Sequence, residues 1–593
     1  MLYHPFPFSI IIQLTMFRKY LPTTNWVISD VNKEAQCLLV KELGVHWIIS
    51  SILTCRDIRT PDDARKYLYP SLHDLHNPFL MKDMLLGVNR LIQAVYNGEK
   101  IVVYGDYDAD GITSVAVLVK FLRDIHADVS YYIPDRIDEG YGLNKKAIDK
   151  IMNNGAKLII TVDCGISDCD EVLYASSLGL DTVILDHHEV SNPLPKAVAA
   201  INPKRPDCSF PMKHLAAVGI VFNFLIALRG SLRKDGFWRE KPYPNLKEYL
   251  DLVALGTIGD ICPMVDENRI FARVGLELLT EGKRVGIRAL KEICGVDSQT
   301  VDSEKASFSL IPRINAAGRV GLPNDAVELL LCDEIDTTRE LALKLDNYNR
   351  RRRVLERNIL EEIIEDIEKT MDDQNRTAFV MASEKWHPGV IGIVASRIAD
   401  RYDRPAILIS LKNGIGKGSG RSISTFNIYQ GLKECADYLI SYGGHRYAAG
   451  ISIMEEDIEQ FANMLDVIVR ENVQQSNFIS ATFIDAQCHL NDITHELLSQ
   501  MELLAPFGSK NPEPVLCVRN VNAFSPSIVG KNHLRMRVSE AGVSRNTIWF
   551  SQGHFIHDLN DSSIDIAFTP HINYWNGASD IQLKMKDIAI SGN

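Results

Sequence analysis

The chain has 593 residues, 46% of them apolar and 24% charged, with a formal net charge of −12. That length has room for roughly three or four domains, and the composition is that of an ordinary soluble protein. The acidic total argues against a surface coated in positive field, though a local basic channel remains compatible with it. Eleven cysteines without a CxxC pair read as reduced core residues, which excludes a zinc ribbon and a disulfide frame.

In chain order, Phe6 to Leu14 is apolar, but no Lys or Arg precedes it and no small-residue cleavage site follows. It is too short to span a bilayer, which takes about 20 residues. Met16 offers a second start, so residues 1–15 are expected to be a disordered extension of a cytoplasmic protein. Residues 16 to 95 are predicted mainly helical, broken at Pro61, Pro70 and Pro78.

From Ile101 to Ile201, short apolar runs alternate with helical patterns, the first helix being predicted over Ile112 to Asp124. That alternation predicts a parallel sheet with helices on both faces and a ligand site beyond the carboxyl ends of its strands. Four apolar runs, each predicted to be a strand, end in acids. Ile101–Tyr104 leads into Gly105-Asp106-Tyr107-Asp108-Ala109-Asp110-Gly111, and Leu158–Val162 into Asp163-Cys164-Gly165. Thr182–Leu185 leads into Asp186-His187-His188, and Leu252–Gly256 into Thr257-Ile258-Gly259-Asp260. Alone, two histidines after a strand are better explained by a loop cap and a solvated ring. Four such ends at one edge are what a metal-dependent hydrolase needs.

Glu334 to Asp373 is the longest helical signal, with apolar residues recurring from Val354 to Ile367 at steps of three and four. It predicts a helix of about 50 Å connecting two lobes. Arg350 to Arg353 and Arg357 on it fit a solvated face or a nucleic-acid rail equally. A second α/β unit follows, with strands at Ala378–Met381 and Ala406–Leu411 around a helix from Val390 to Ala399. Gly414 to Ser422, with glycine at every second position, is predicted to be a phosphate-binding loop, and Gly443-Gly444-His445 with Ala448-Ala449-Gly450 a second glycine-rich turn. From Asn477 onward, short alternating segments predict an all-β domain of the OB type, whose Arg535 and Arg537 would suit single-stranded nucleic acid.

Asp106, Asp108 and Asp110 lie within five positions, and like charges that close raise one another's pKa unless cations neutralise them. With Asp163, His187 and Asp260 they make a set of hard oxygen donors and one imidazole. Manganese or magnesium fits such donors better than structural zinc. Two ions about 3.5–4 Å apart can activate a water and stabilise an in-line phosphoryl displacement.

These motifs resemble motifs I to IV of the DHH phosphoesterases, and more narrowly the branch that degrades single-stranded DNA 5′→3′. Further matches are Pro134 to Leu143, Pro312-Arg313-Ile314-Asn315-Ala316-Ala317-Gly318-Arg319, the Ser419–Ser422 stretch, Gly443-Gly444-His445, and Pro506-Phe507-Gly508 before Asn511-Pro512-Glu513-Pro514. The resemblance covers roughly residues 20–590. It implies a DHH domain at 96–330, a connecting helix at 331–373, a DHH-associated α/β domain at 374–472 and an OB-fold domain at 473–593. It further implies two Mn²⁺ or Mg²⁺ held by Asp106, Asp108, Asp110, Asp163, His187 and Asp260. His188 would face the scissile phosphate, with Asp186 orienting its neighbours. Arg136, Ser419 and Arg421 would take the 5′-terminal phosphate, with Ser422, Arg319 and Asn315 also touching substrate. His445 and the amides of Gly443 and Gly444 would grip the backbone.

The implied activity is release of 5′-mononucleotides from single-stranded DNA during repair and recombination. The partners implied are a single-strand-binding protein and a helicase, and the chain is expected to be a monomer without membrane contact. One rival reading is a DHH phosphodiesterase acting on short RNA or cyclic dinucleotides, for which the N-terminal and OB-like regions would have no task. The other is a non-catalytic DNA-binding scaffold, at odds with the complete set of metal acids.

Overall fold

The computed structural model describes residues 25–370, 376–473 and 481–590, apart from 191, 241, 558, 560, 561, 576 and 577. The expected leading extension lies outside them. The described chain forms two compact units: Pro70–Gln474 with Pro506–Asn511, and the remainder.

The first unit is built on a five-stranded, all-parallel sheet of β1 (Ile101–Gly105), β2 (Val129–Tyr132), β3 (Leu158–Val162), β4 (Asp181–Leu185) and β5 (Ala199–Ile201), in the order β2-β1-β3-β4-β5. Ile101 and Val103 join the core on one face, Val102 and Tyr104 that on the other. Burial on both faces is why these strands read as continuous apolar runs. Helix α1 (Ala109–Asp124) begins three residues before its predicted start. Asp108 is its N-cap: the carboxylate accepts the amides of Asp110 at 2.8 Å and Gly111 at 3.1 Å.

One predicted strand is a helix. After α2 (Ala217–Lys234), the run that delivers Asp260 forms α3 (Leu250–Gly259), with every residue from Leu250 to Ile258 buried. It packs among α1, α2 and α4 (Asp266–Glu281). A segment apolar on all sides has no period to tell helix from strand, and here burial among three helices decides. Three strand ends and one helix end therefore supply the acids.

Helix α5 (Ile311–Val320) leads toward α6 (Ile335–Thr370), 36 residues long. Ala342 and Leu345 of α6 pack in the core of the parallel-sheet lobe, while Ile359, Ile363 and Ile367 pack in that of the second lobe. The arginine run on α6 is partly occupied by ion pairs. Arg352 binds the buried Glu356, which also holds Arg397, and Arg350 lies 2.7 Å from Asp346.

The second lobe of this unit contains β6 (Phe379–Ser383), α7 (Ile391–Tyr402), β7 (Ala406–Lys412), β8 (Ile415–Arg421), β9 (Ser441–Gly444) and β10 (Ala448–Met454), with sheet order β9-β10-β8-β7-β6. The predicted phosphate loop is thus a central strand, β8, antiparallel to both neighbours. Its alternating glycines answer to packing. A Cβ at Gly416 or Gly418 would come within 2.5 Å of Ile409 or Ile451, and one at Gly420 within 2.7 Å of Ile428. The opposite face of the strand carries Lys417, Ser419 and Arg421. Likewise Gly443 and Gly444 lie on β9, an edge strand, and Ala448-Ala449-Gly450 on β10; only the connection between them turns.

In the other unit, six strands run in the order Ala486–Gln487, Leu516–Val529, His533–Glu540, Val543–Trp549, Ala578–Ile590, Ser562–Trp575. Pairing of Leu516–Val529 with Ser562–Trp575 closes the barrel expected of an OB fold. Leu534, Met536 and Val538 point inward, and Arg535 and Arg537 are exposed. Asn25–Ile28 pairs in parallel with Ala481–Ile484. The predicted helical region 16–95 is accordingly divided: its described residues up to 69 belong with the barrel, and residues from 70 with the parallel sheet.

Candidate metal centre

β1, β3 and β4 are neighbours, so the segments after them meet at one edge of the sheet. Asp106 and Asp108 follow β1, Asp163 follows β3, and Asp186, His187 and His188 follow β4. Asp163 adopts φ 63°, a left-handed conformation that turns the chain at the strand end. Asp260, the C-cap of α3, arrives from the helical side.

The side chains converge. His187 Nε2 lies 3.2 Å from Asp163 Oδ1 and 3.9 Å from Asp110 Oδ2, and His187 Nδ1 lies 3.6 Å from Asp260 Oδ2. Asp106, Asp108 and Asp163 bring donor oxygens within 4.8 Å of one another, and Asp163, His187 and His188 form another such group. Asp110 stands behind the centre, its two oxygens accepting the amides of Ala217 at 2.7 Å and Val218 at 2.9 Å at the start of α2. Each oxygen keeps a second lone pair for the centre.

Electrostatics show what this arrangement lacks. Burial, then the Asp108 charge, pushes Asp106 up to about 8. Burial and neighbouring carboxylates raise Asp110 and Asp163 well above the usual range, and burial lowers His187. Asp106 Oδ1, Asp163 Oδ1 and His187 Nε2 are buried without a hydrogen-bond partner. Buried acceptors left unpaired cost free energy, and divalent cations held in the groups that contain them would satisfy these atoms. Carboxylate oxygens with one imidazole match the preferences of Mn²⁺ and Mg²⁺, so the residues fit the expected ions.

Asp186 works differently. Its Oδ1 accepts from His188 Nδ1 at 2.7 Å and from the amides of His187 and His188, and its Oδ2 accepts the Ile166 amide. Against burial, these bonds hold Asp186 down at about 2 and lift His188 to about 9. His188 is thereby fixed in orientation and kept protonated. Tyr141, which sequence reasoning gave no role, lies 3.1 Å from His188 Nδ1 and donates to the Asp163 carbonyl at 3.0 Å. A Tyr two residues past the matched Glu139 was the available signal. Cys262 was also missed; its thiol donates to Asp260 Oδ2.

Beside the centre is a niche of three arginines. Burial and the charges of Arg136 and Arg421 pull Arg319 down to about 10, with Asp108 opposing. Burial, then Arg136, lowers Arg421 too. Arg136 lies over the Tyr107 ring, 4.9 Å from its centroid, and Arg421 donates to Ser419 Oγ at 3.2 Å. Mutual repulsion among guanidiniums in one pocket is relieved by an anion.

Other expected contacts fall elsewhere. Asn315 Oδ1 accepts the Ala109 amide at 2.8 Å and so braces the Asp108–Asp110 turn, although its residue also lines a cavity beside Asp260. The Ser422 hydroxyl donates to the Phe426 carbonyl, closing the turn after β8. Gly443 faces open space, and His445, lowered by burial, lies within electrostatic range of Glu189, His188 and Lys204.

Comparison with known proteins agrees with this geometry. Residues 100–257 match the N-terminal domain of the DHH family, 375–471 the DHHA1 domain and 484–587 the RecJ OB domain. The chain is 38% identical over 572 residues to the single-stranded-DNA-specific exonuclease RecJ of Bacillus subtilis, covering 96% of this chain and 71% of that protein. It also resembles the crystal structures of Thermus thermophilus RecJ in complex with Mn²⁺ (TM-score 0.82, 28% identity, 96% of this chain and 80% of that one) and with Mg²⁺ (0.76, 27%, 96% and 79%). Catalytic-lobe architecture, barrel and sequence all lead to one assignment: the chain belongs to the RecJ family of single-stranded-DNA-specific exonucleases.

Proposed function

We propose that this chain hydrolyses single-stranded DNA from its 5′ end, releasing 5′-mononucleotides, with Mn²⁺ or Mg²⁺ as cofactor. The observation that carries this reading is the adjacency of two features on one unit. A ring of acids and imidazole has buried, unpartnered donors, and Arg136, Arg319 and Arg421 stand near enough for their charges to repel one another.

When bound, a pair of such ions supplies an activated water and neutralises charge on the attacked phosphate. The carboxylates of Asp106, Asp108, Asp110, Asp163 and Asp260, with His187, hold them. Asp186 locks His188, whose protonated ring offers a cationic donor to a phosphate oxygen and can return a proton to a leaving oxygen. Arg136, Arg421 and Ser419 would hold a terminal phosphate, which carries more charge than an internal one and so registers the end. Arg319 within the niche and Lys417, on the strand face that carries Ser419 and Arg421, extend positive potential along the backbone.

The deciding experiment compares a 5′-phosphorylated oligonucleotide with its 5′-hydroxyl counterpart, in Mn²⁺, with wild type and Asp108→Ala. Shortening from the 5′ end by wild type alone supports the reading. No shortening, or equal shortening by both proteins, sinks it. Faster cleavage of a two-nucleotide RNA than of long DNA would favour the phosphodiesterase alternative.

Work in the cytoplasm as a monomer, beside a single-strand-binding protein and a helicase in repair and recombination, belongs to the same proposal. Among the described residues no helix is long and apolar enough to cross a membrane.

A further inference from the structure

The centre carries one donor that a manganese or magnesium enzyme does not call for. Cys262 is 5% exposed, and its thiol lies 3.1 Å from Asp260 Oδ2. His187 Nδ1 lies 3.6 Å from the same oxygen. Donor atoms of His187, Asp260 and Cys262 all fall within 4.8 Å of one another. This is a nitrogen, oxygen and sulfur set, chemically unlike the Asp106, Asp108 and Asp163 group, where every donor is a carboxylate oxygen.

Sulfur with imidazole and carboxylate suits tetrahedral zinc and its heavier relative cadmium, whereas magnesium asks for six oxygens. For shared donors zinc also binds more tightly than manganese. The flank is reachable: Asp260 is 28% exposed at its side chain, and a cavity of about 570 Å³ lined by Gly259, Ile261 and Cys262 opens beside it.

We propose that His187 Nδ1, Asp260 and Cys262 form a site for a thiophilic divalent ion, zinc or cadmium, on the Asp260 flank of the centre. Its occupation arrests hydrolysis by withdrawing His187 and Asp260 from the hard ions. Binding turns the Cys262 thiol into a thiolate, whose proton leaves to solvent, and water fills the fourth position. The arrest rests on the nuclease reading above; the site itself does not.

The test uses the whole chain as wild type, Cys262→Ser and Cys262→Ala, freed of metal and titrated with Cd²⁺. The ultraviolet sulfur-to-cadmium charge-transfer band reports thiolate ligation directly. A tight phase at one ion per chain is expected in wild type and absent from both variants, the other cysteines contributing alike to all three. In Mn²⁺, zinc should halve wild-type DNA hydrolysis at a concentration about tenfold below that needed for Cys262→Ser, each against its own zinc-free rate. Identical cadmium bands in the three proteins overturn the site. A Cys262-dependent band with equal zinc sensitivity overturns the arrest. A Cys262-dependent band with no DNA hydrolysis in any protein leaves the site standing and overturns the nuclease reading instead.

Discussion

At the scale of single residues, the centre is organised by charge that the polypeptide leaves uncompensated. Asp106 has a pKa of about 8 in the folded chain against an ordinary 3.8. Between those values the folded state keeps a proton that the unfolded chain has lost, so stability falls as pH rises through this window. In chelator, the melting temperature should therefore drop from about pH 4 to pH 8. Asp106→Asn should flatten the slope, and Mn²⁺ should reverse it; a flat wild-type profile would contradict the burial argument. Asp186 has the opposite character, because four donors satisfy it. Asp186→Asn should lower kcat by about 10- to 100-fold with little change in KM. The alkaline limb of its rate profile should also move to lower pH, since His188 loses the partner that lifts it to about 9. An unshifted limb would separate Asp186 from His188. The residue types of the centre were legible in the sequence, since acids and imidazole follow four separate apolar runs, although three acids in five positions would alone suit a solvated turn. Tyr141 stood inside the matched Pro134 to Leu143 run, but its role was not legible, because its hydroxyl reaches the Asp163 carbonyl 22 positions away.

At the scale of elements, close packing brings the parts of the site together. Helix α5 lies against the Asp106–Asp110 turn, with Asn315 accepting the Ala109 amide and Gly318 facing the Tyr107 carbonyl. A Cβ at Gly318 would collide with that oxygen. Gly318→Ala should destabilise the protein by about 1–3 kcal/mol, measured by denaturant melts, and cost more activity than the loss of folded protein explains. On α6, the buried Glu356 holds Arg352 and, from α7, Arg397. Glu356→Ala should cost about 3 kcal/mol, because it takes the carboxylate from the mostly buried Arg352. The length of α6 was readable from its apolar spacing. The nature of α3 and of β8 was not, for different reasons. A wholly apolar stretch has no period, and alternating glycines mimic a loop until the isoleucines that cover them are brought near by neighbouring strands and a helix.

At the scale of the whole molecule, a net charge of −12 does not prevent Arg136, Arg319 and Arg421 from gathering beside the acidic centre. If Arg136 and Arg421 neutralise the two charges of a terminal phosphate and Arg319 one charge on its neighbour, log affinity for single-stranded DNA should fall with log salt at a slope of about −2. Arg136→Ala should reduce that slope by about 0.7. It should also narrow the preference for 5′-phosphorylated ends, as read by fluorescence anisotropy across a salt series with non-hydrolysable DNA. A slope unchanged in Arg136→Ala would remove that residue from the binding surface.

By itself the sequence determined the inventory: five aspartates and a histidine at the ends of apolar runs, two α/β lobes on a long helix, and a terminal barrel, because strand and helix periods and carboxylate spacing are local properties. Tertiary structure alone decided which groups share a site. Asp260 comes from a helix end, Arg319 meets Arg136 and Arg421 across two lobes, and residues up to 69 join the barrel through a strand pair more than 450 positions apart. Such contacts depend on where chains cross in space, and no local pattern of residues encodes that.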